Sequence, residues 1–296
     1  MDIALHGAAT AEELIPLDDP RSHYAFSKIF EKPGWLANRR NKDRLKVLRN
    51  LDAQLSEMLH DGERVSAVAW CQEYSFVESY FLGIWAYLLN RRALLVTQER
   101  ILLFQIDSRR RPKELKAQIR HGAIQKLSNT WLGSHLRLRL KSKRWMLLSQ
   151  IPRSMRKSVR ETIEAQRKTA SPSNVVSREH LCPHCWEPIV DLVPSCPKCR
   201  GTFKSPARAR WLSLAFPGLG DLYLGHTFLG WLQIVAAVFW WGLLAPAILT
   251  DSEVGLPEKA VILGVLALVM HGLDAVVTGY TAKKGLYPEK PGPASR

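Results

Sequence analysis

The side chains best suited to chemistry are four cysteines in two pairs, Cys182-Pro-His-Cys185 and Cys196-Pro-Lys-Cys199, separated by residues 186–195. Two cysteines with two residues between them let both thiolates converge on one ion at ~2.3 Å, and a second such turn completes a tetrahedron. Pro183 and Pro197, each directly after a first cysteine, stiffen the turns, and Lys198 and Arg200 offset part of the thiolate charge. The ion expected is Zn2+ rather than iron, since nothing nearby suggests a redox partner. With all four positions filled by protein the ion is structural, and His184 reads as a surface residue. The fifth cysteine, Cys71, lies in Val65-Ser-Ala-Val-Ala-Trp-Cys71 and reads as a small buried hydrophobe. An odd count does not suggest a disulfide framework, and the thiolates imply a reducing compartment. No Ser/His/Asp or Cys/His nucleophile arrangement stands out, so no enzyme is expected.

Shortly after the cysteines the chain becomes apolar, with no Asp, Glu, Lys or Arg in residues 222–250. Residues 227–249 and 260–280 are each long enough to cross a hydrocarbon core of ~30 Å at ~1.5 Å per residue. The short acidic link Thr250-Asp-Ser-Glu-Val-Gly-Leu-Pro257 makes them a hairpin. Lys204, Arg208 and Arg210 precede the first span, Lys283 and Lys284 follow the second, and Lys259 is the one Lys or Arg between the two spans. Positive flanks favour the cytoplasm, so both termini are expected there, in an integral protein of a bacterial inner membrane. Residues 1–20 show no signal peptide, having Asp2, Glu12, Glu13, Asp18 and Asp19 and no apolar core. Asp274 lies within the second apolar run, where a charge costs ~3 kcal/mol at mid-membrane. His271 shares its helical face, and Asp221 and His226 lie where the first span begins. An Asp–His polar cluster is expected, between the hairpin helices or between protomers; hydration of Asp274 at the cytoplasmic interface is the alternative.

The rest of the chain must present these groups. Residues 91–168 account for the whole net charge of +15, which suggests a surface that meets phospholipid or nucleic acid. Arg109, Arg110, Arg111, Lys113, Lys116, Arg137, Arg139, Lys141, Lys143 and Arg144 are the candidate cations. Against nucleic acid, the only aromatics interleaved with them are Trp131 and Trp145, and Trp145 is expected in a core strand. Residues 1–40 read as mostly irregular. Leu45, Leu48, Leu51, Leu55 and Met58 predict an amphipathic helix over 41–60, packed on a neighbouring domain. Strands follow: 65–71, the aromatic and aliphatic run 80–89, a hairpin of 93–97 and 101–106, the alternating His135-Leu-Arg-Leu-Arg-Leu140, and 144–149 after the turn Lys141-Ser-Lys143. Pro152 opens a helix with Met155, Val159 and Ile163 at spacing four, and residues 170–177 form a linker.

Strands followed by one helix resemble the bacterial pleckstrin-homology-like (GRAM-like) family over residues 63–168. Leu95-Val-Thr97-Gln-Glu-Arg100-Ile-Leu-Leu-Phe104 is similar to its "L-T-x-x-R-(apolar)4" hairpin. That resemblance implies a strongly bent antiparallel sheet capped by a helix, a fold of which many members bind phosphoinositides or peptides. The cysteine spacing is that of a zinc ribbon. Phe216-Pro-Gly-Leu-Gly220-Asp-Leu-Tyr-Leu-Gly225-His-Thr-Phe-Leu-Gly230-Trp231 resembles the start of TM2-domain proteins through Gly218, Gly220, Tyr223, Gly225 and Gly230, departing at Pro217 and Asp221. It implies an anchor more than a reaction. The expected organisation is an α+β membrane protein: an N-terminal region and helix (1–62), a pleckstrin-like bent antiparallel sheet with C-terminal helix (63–168), a linker and zinc ribbon acting as a small rigid joint (169–206), a transmembrane helical hairpin (207–285) and a tail (286–296). The expected function is a cytosol-facing scaffold or adaptor, binding anionic headgroups, a protein partner or a second copy. The alternatives are a subunit of a transport or envelope assembly and a membrane-tethered nucleic-acid-binding protein.

Overall fold

The computed structural model describes residues 22–31, 35–129, 135–250, 253 and 255–289. Trp131, residues 1–21 and most of the expected tail lie outside them. The chain forms two compact units, one built from residues up to Asp191 and one from residues after it.

The first unit is α+β, and its sheet is antiparallel throughout. Helices α1 (Phe26–Ile29) and α2 (Trp35–Met58) precede strand β1 (Val65–Glu73). The helices α3 (Phe76–Leu82) and α4 (Ile84–Leu89) follow, then β2 (Arg91–Thr97), β3 (Arg100–Ile106) and β4 (Pro112–Arg120). Next come β5 (Ile124–Asn129), β6 (Leu136–Leu140), β7 (Trp145–Ser149) and helix α5 (Arg153–Thr169). Two short strands, β8 (Glu179–Leu181) and β9 (Pro188–Ile189), complete the spatial order β5-β6-β7-β1-β2-β3-β4-β8-β9. Strand β1 belongs to two ladders. It pairs with β2 along its length, and at its end Gln72 and Glu73 pair with Ser149 and Leu148 of β7.

Strands β2 and β3 read as unbroken apolar runs because both of their faces are covered. Ala93, Leu95, Leu102 and Phe104 pack with Leu48, Leu51 and Leu55 of α2. Leu94, Val96, Ile101 and Leu103 point the other way and pack with Met155, Val159 and Ile163 of α5. The stripe of α2 is thus a core face, and the helix begins at Trp35, earlier than its periodicity predicts. Cys71 is buried as expected, and burial pushes its thiol up to about 12.

The threonine and arginine of the β2–β3 hairpin hold a buried polar knot. Thr97 Oγ1 accepts from the Glu99 and Arg100 N–H groups at 3.2 and 3.1 Å and donates to Glu63 Oε1 at 2.7 Å. Arg100 donates through Nε and Nη2 to the two Glu63 oxygens at 2.9 and 2.7 Å, through Nη1 to Gln118, and through Nη2 to the Met58 carbonyl. One guanidinium therefore ties the end of α2 and the start of β1 to β3 and β4. Burial would raise the Glu63 carboxyl, but the bonds from Arg100 and Thr97 outweigh it and hold it below the usual carboxylate range.

The structure corrects the strand expected over residues 80–89. These residues form α3 and α4, because local signals favour turns over β-propensity. Ser75 caps α3 by accepting from the Glu78 N–H, and Gly83, at φ 54°, separates the two helices. The buried Glu78 carboxylate accepts from the Asn90 side chain, closing the helical pair at its base.

In the second unit α6 (Pro206–Ala215) and α7 (Leu219–Leu224) lead into α8 (Thr227–Thr250) and α9 (Leu256–Ala282). Among the described residues, the last two are the helices long and apolar enough to cross a membrane. Their apolar side chains are mostly exposed, Phe228, Val235, Phe239, Val261 and Leu268 among them.

Candidate metal centre and charged surfaces

The two cysteine turns have the same backbone. The Trp186 and Arg200 N–H groups donate to the carbonyls of Cys182 and Cys196 at 3.0 and 2.9 Å, and Cys182 N–H and Cys196 N–H donate to Glu187 O and Gly201 O at 3.0 and 2.9 Å. The residue after each second cysteine, Trp186 or Arg200, adopts a left-handed conformation at φ 61° or 60°. A non-glycine residue held there is strained and persists where its surroundings dictate it. Two equal turns bring the sulfurs of Cys182, Cys185, Cys196 and Cys199 within 4.8 Å of one another. A tetrahedral ion with ~2.3 Å bonds needs edges of ~3.8 Å, so the donor set fits. Cys182 and Cys196 are buried and Cys199 is exposed. The first turn grows out of the sheet, since β8 pairs with β4 through Ala117–His180 and Gln118–Glu179. Burial pushes His180 down to about 3, helped by the Arg178 charge.

The ten candidate cations do not share one role. Lys116 is buried with its ammonium 4.3 Å from the Trp186 ring centroid; burial lowers it to about 8 against the pull of Glu114, Cys182 and Glu57. That corrects its reading as a cation that meets headgroups. Arg110 is half-buried, stacks on Trp70 at 4.3 Å, and pairs with Asp43 of α2, so it too is a fixing group. Arg109, Arg111 and Lys113 are exposed at the β3–β4 turn. Arg137, Lys141, Lys143 and Arg144 are exposed on β6 and the β6–β7 turn, and Arg139 is half-buried beside them. Trp145 is not a core residue. It is 45% exposed, with the Arg137 and Arg139 guanidiniums 3.8 and 5.2 Å from its ring. Strand alternation had the signal, since Met146 and Leu148 take the inner face.

In the second unit only two of the four polar residues, Asp221 and His226, hydrogen-bond to each other. Asp274 accepts from the Gly218 N–H at 3.0 Å and from Gln233 Nε2 at 2.9 Å. Asp221 meets His226 Nδ1 at 2.9 Å and accepts from Thr278 at 3.3 Å, and Ser213 donates to Thr278. His271 instead donates its Nδ1 proton to the Leu214 carbonyl and lies edge-on to Phe216 and Trp241. Of the expected Asp–His cluster, Asp221 and His226 pair directly, while Asp274 caps the turn before α7 and His271 bonds the Leu214 carbonyl. The glycines are required by contact. A Cβ on Gly220 would lie 2.3 Å from the Ala209 carbonyl oxygen and 2.4 Å from Ser213 Oγ, and Gly218 has φ 89°.

No protein-family model matches the chain, and no curated protein is significantly similar to it. Among solved structures, the C-terminal domain of an unknown protein from Leishmania infantum is similar at 10% identity with a TM-score of 0.28, over 41% of this chain and 94% of that one. The linker-DH/PH domains of p115-RhoGEF are similar at 11% identity with a TM-score of 0.30, over 47% of each chain. Likenesses this slight carry no argument about function.

Proposed function

We propose that the chain is an integral membrane adaptor whose basic, pleckstrin-like domain engages anionic phospholipid headgroups on the side where both termini lie. The observation that carries this reading is the presence, in one chain, of two exposed apolar helices and an exposed cluster of Arg137, Lys141, Lys143 and Arg144. The pleckstrin-like reading draws on a four-stranded meander, β1–β4, and a three-stranded one, β5–β7, that joins it along β1, and on the helix that closes the second core. Near an anionic leaflet each such cation contributes ~1 kcal/mol. In this reading Zn2+ fills the cysteine site as a structural ion, the protein has no catalytic centre, and the lipid surface is where further partners are met.

The test uses the whole chain in proteoliposomes. Trypsin cleavage within the Lys141–Arg144 turn should slow when phosphatidylglycerol replaces phosphatidylcholine, and the difference should fade with rising salt. The variant K141E/K143E/R144E should be insensitive to headgroup charge when probed by acetylation of Lys113. Equal cleavage of the natural chain in the two lipids refutes the reading. Trp145 with its two stacked arginines favours one second reading, a single-stranded nucleic acid bound by stacking and charge. A gel shift abolished by W145A would establish it.

A further inference from the structure

The α3–α4 segment exposes apolar side chains that the core does not use. Phe76, Tyr80 and Ile84 are 71%, 73% and 72% exposed, and Phe81 and Leu88 are also open. Phe76 stacks on Tyr80, and Tyr80 meets Phe81 edge-on, so the surface is organised by the helices themselves. It contains no exposed charge. The segment's only acidic residue, Glu78, is fully buried and bonded to Asn90, and residues 79–90 have no Asp, Glu, Lys or Arg. Cations begin at its margin. Arg91 lies 4.3 Å from the Tyr87 ring centroid, and Tyr87, Arg91 and Arg110 line one cleft.

An apolar aromatic face without charge, bordered by arginines, suits the boundary between acyl chains and anionic headgroups. A soluble partner would leave this face open to water whenever the partner is absent. A bilayer is available at all times to a chain that is anchored in one, at the high effective concentration of a tether. We propose that α3–α4 is an interfacial wedge, its Phe76, Tyr80 and Ile84 side chains seated among lipid acyl chains and its arginines among the headgroups. The proposal rests on the membrane reading above but not on the basic turn, since the wedge is held by apolar contact and the turn by charge.

The test places 4-benzoylphenylalanine at Tyr80, at Ile84, and at Lys157 on the exposed side of α5, each in the full chain in proteoliposomes. After irradiation, lipid adducts at positions 80 and 84 should exceed those at 157 about tenfold. They should persist in pure phosphatidylcholine and at ~0.5 M salt, where electrostatic contacts are screened. Adducts at 80 no more frequent than at 157, or adducts to a second copy or another protein instead of lipid, overturn the proposal. Hydroxyl-radical footprinting of the unmodified chain gives a second readout: Phe76 and Tyr80 should be shielded in bilayers of either charge, and unshielded rings overturn it. Loss of headgroup sensitivity at the Lys141–Arg144 turn with adducts intact would count against the electrostatic reading alone. Release of the chain by alkaline carbonate would end both.

Discussion

Replacing Arg100 with methionine should be among the most damaging single changes in the first unit. Glu63 and Arg100 have almost no exposed side-chain surface, and the guanidinium serves both carboxylate oxygens, Gln118 and the Met58 carbonyl. Removing one partner of a buried pair leaves the other charge desolvated, at a cost of ~3–5 kcal/mol. That is a ~10²- to 10³-fold or greater increase in the opening equilibrium of the β2–β3 hairpin. The pH dependence should also invert. In the natural chain Glu63 titrates below its unfolded value near 4.5, so its stabilisation is present above that pH and is lost as pH falls through the folded value. In R100M burial is no longer opposed by the guanidinium and the folded carboxyl rises. The variant's deficit should then be largest near pH 7 and shrink toward pH 4.5. Hydrogen exchange of β2 and β3 amides, read as the difference between variant and natural chain at each pH, measures both effects and cancels any shared loss of metal. E63Q/R100M should be less damaging than R100M alone. A loss below ~1 kcal/mol, or a deficit that does not change with pH, refutes the argument.

Mass spectrometry of the intact protein should find one zinc ion per chain; C196S should lose it and open both cysteine turns, read as faster exchange at residues 182–187. His121 is buried and neutral, its Nε2 2.9 Å from the Thr97 carbonyl oxygen, and burial lowers its pKa. Its unfolded form takes a proton near pH 6.5, so stability should fall as pH drops below that value, and H121Q should flatten this part of a pH–exchange profile. G220A should prevent proper closure of α6 and α7 on α9, since the new methyl would overlap the Ala209 carbonyl, whereas G264A, with nothing within 4 Å, should be neutral; monodispersity in detergent after heating separates them. D274N should be milder than D274A, because the amide keeps an acceptor for the Gly218 N–H.

The parts of the fold legible in the sequence were those set by periodicity: the stripe of α2, the β2–β3 hairpin, the alternation of β6, the spacing of α5 and the two long apolar helices. The cysteine site was legible because ligand spacing is itself a geometric constraint. What escaped lay where local chemistry opposed composition. Residues 76–89 are rich in residues that favour strands, yet Ser75 and Glu78 mark a helix start and Phe76, Tyr80, Ile84 and Leu88 recur at spacing four. Both signals were present in the letters. Others were not: that Lys116 would be covered by Trp186, or that Asp274 would cap a turn rather than meet His271, depends on which distant segments pack together.

Charge in this chain therefore has to be sorted by burial before it is assigned a function. Arg100, Arg110 and Lys116 are spent on the fold itself, each fixed by a carboxylate or an aromatic ring within the first unit. Asp274 has the same office in the second unit, where its carboxylate holds the backbone of the turn that begins α7. Removing Arg110 and Lys116 from the ten candidate cations leaves Arg109, Arg111 and Lys113 near the β3–β4 turn and Arg137, Arg139, Lys141, Lys143 and Arg144 on β6 and the β6–β7 turn. This is a smaller set than the sequence offered, while other exposed cations such as Arg120, Lys126, Arg153 and Lys157 lie elsewhere on the unit. A substitution of Arg110 or Lys116 should thus weaken folding before it weakens any surface interaction. Exchange protection in the absence of lipid separates the two: K116M and R110A should lose it at β4 and α2 respectively, whereas K143E should leave it unchanged. If K143E opened the domain as R110A does, exposure would not distinguish structural from interacting charge here, and the lipid-facing assignment of the β6–β7 turn would lose its basis.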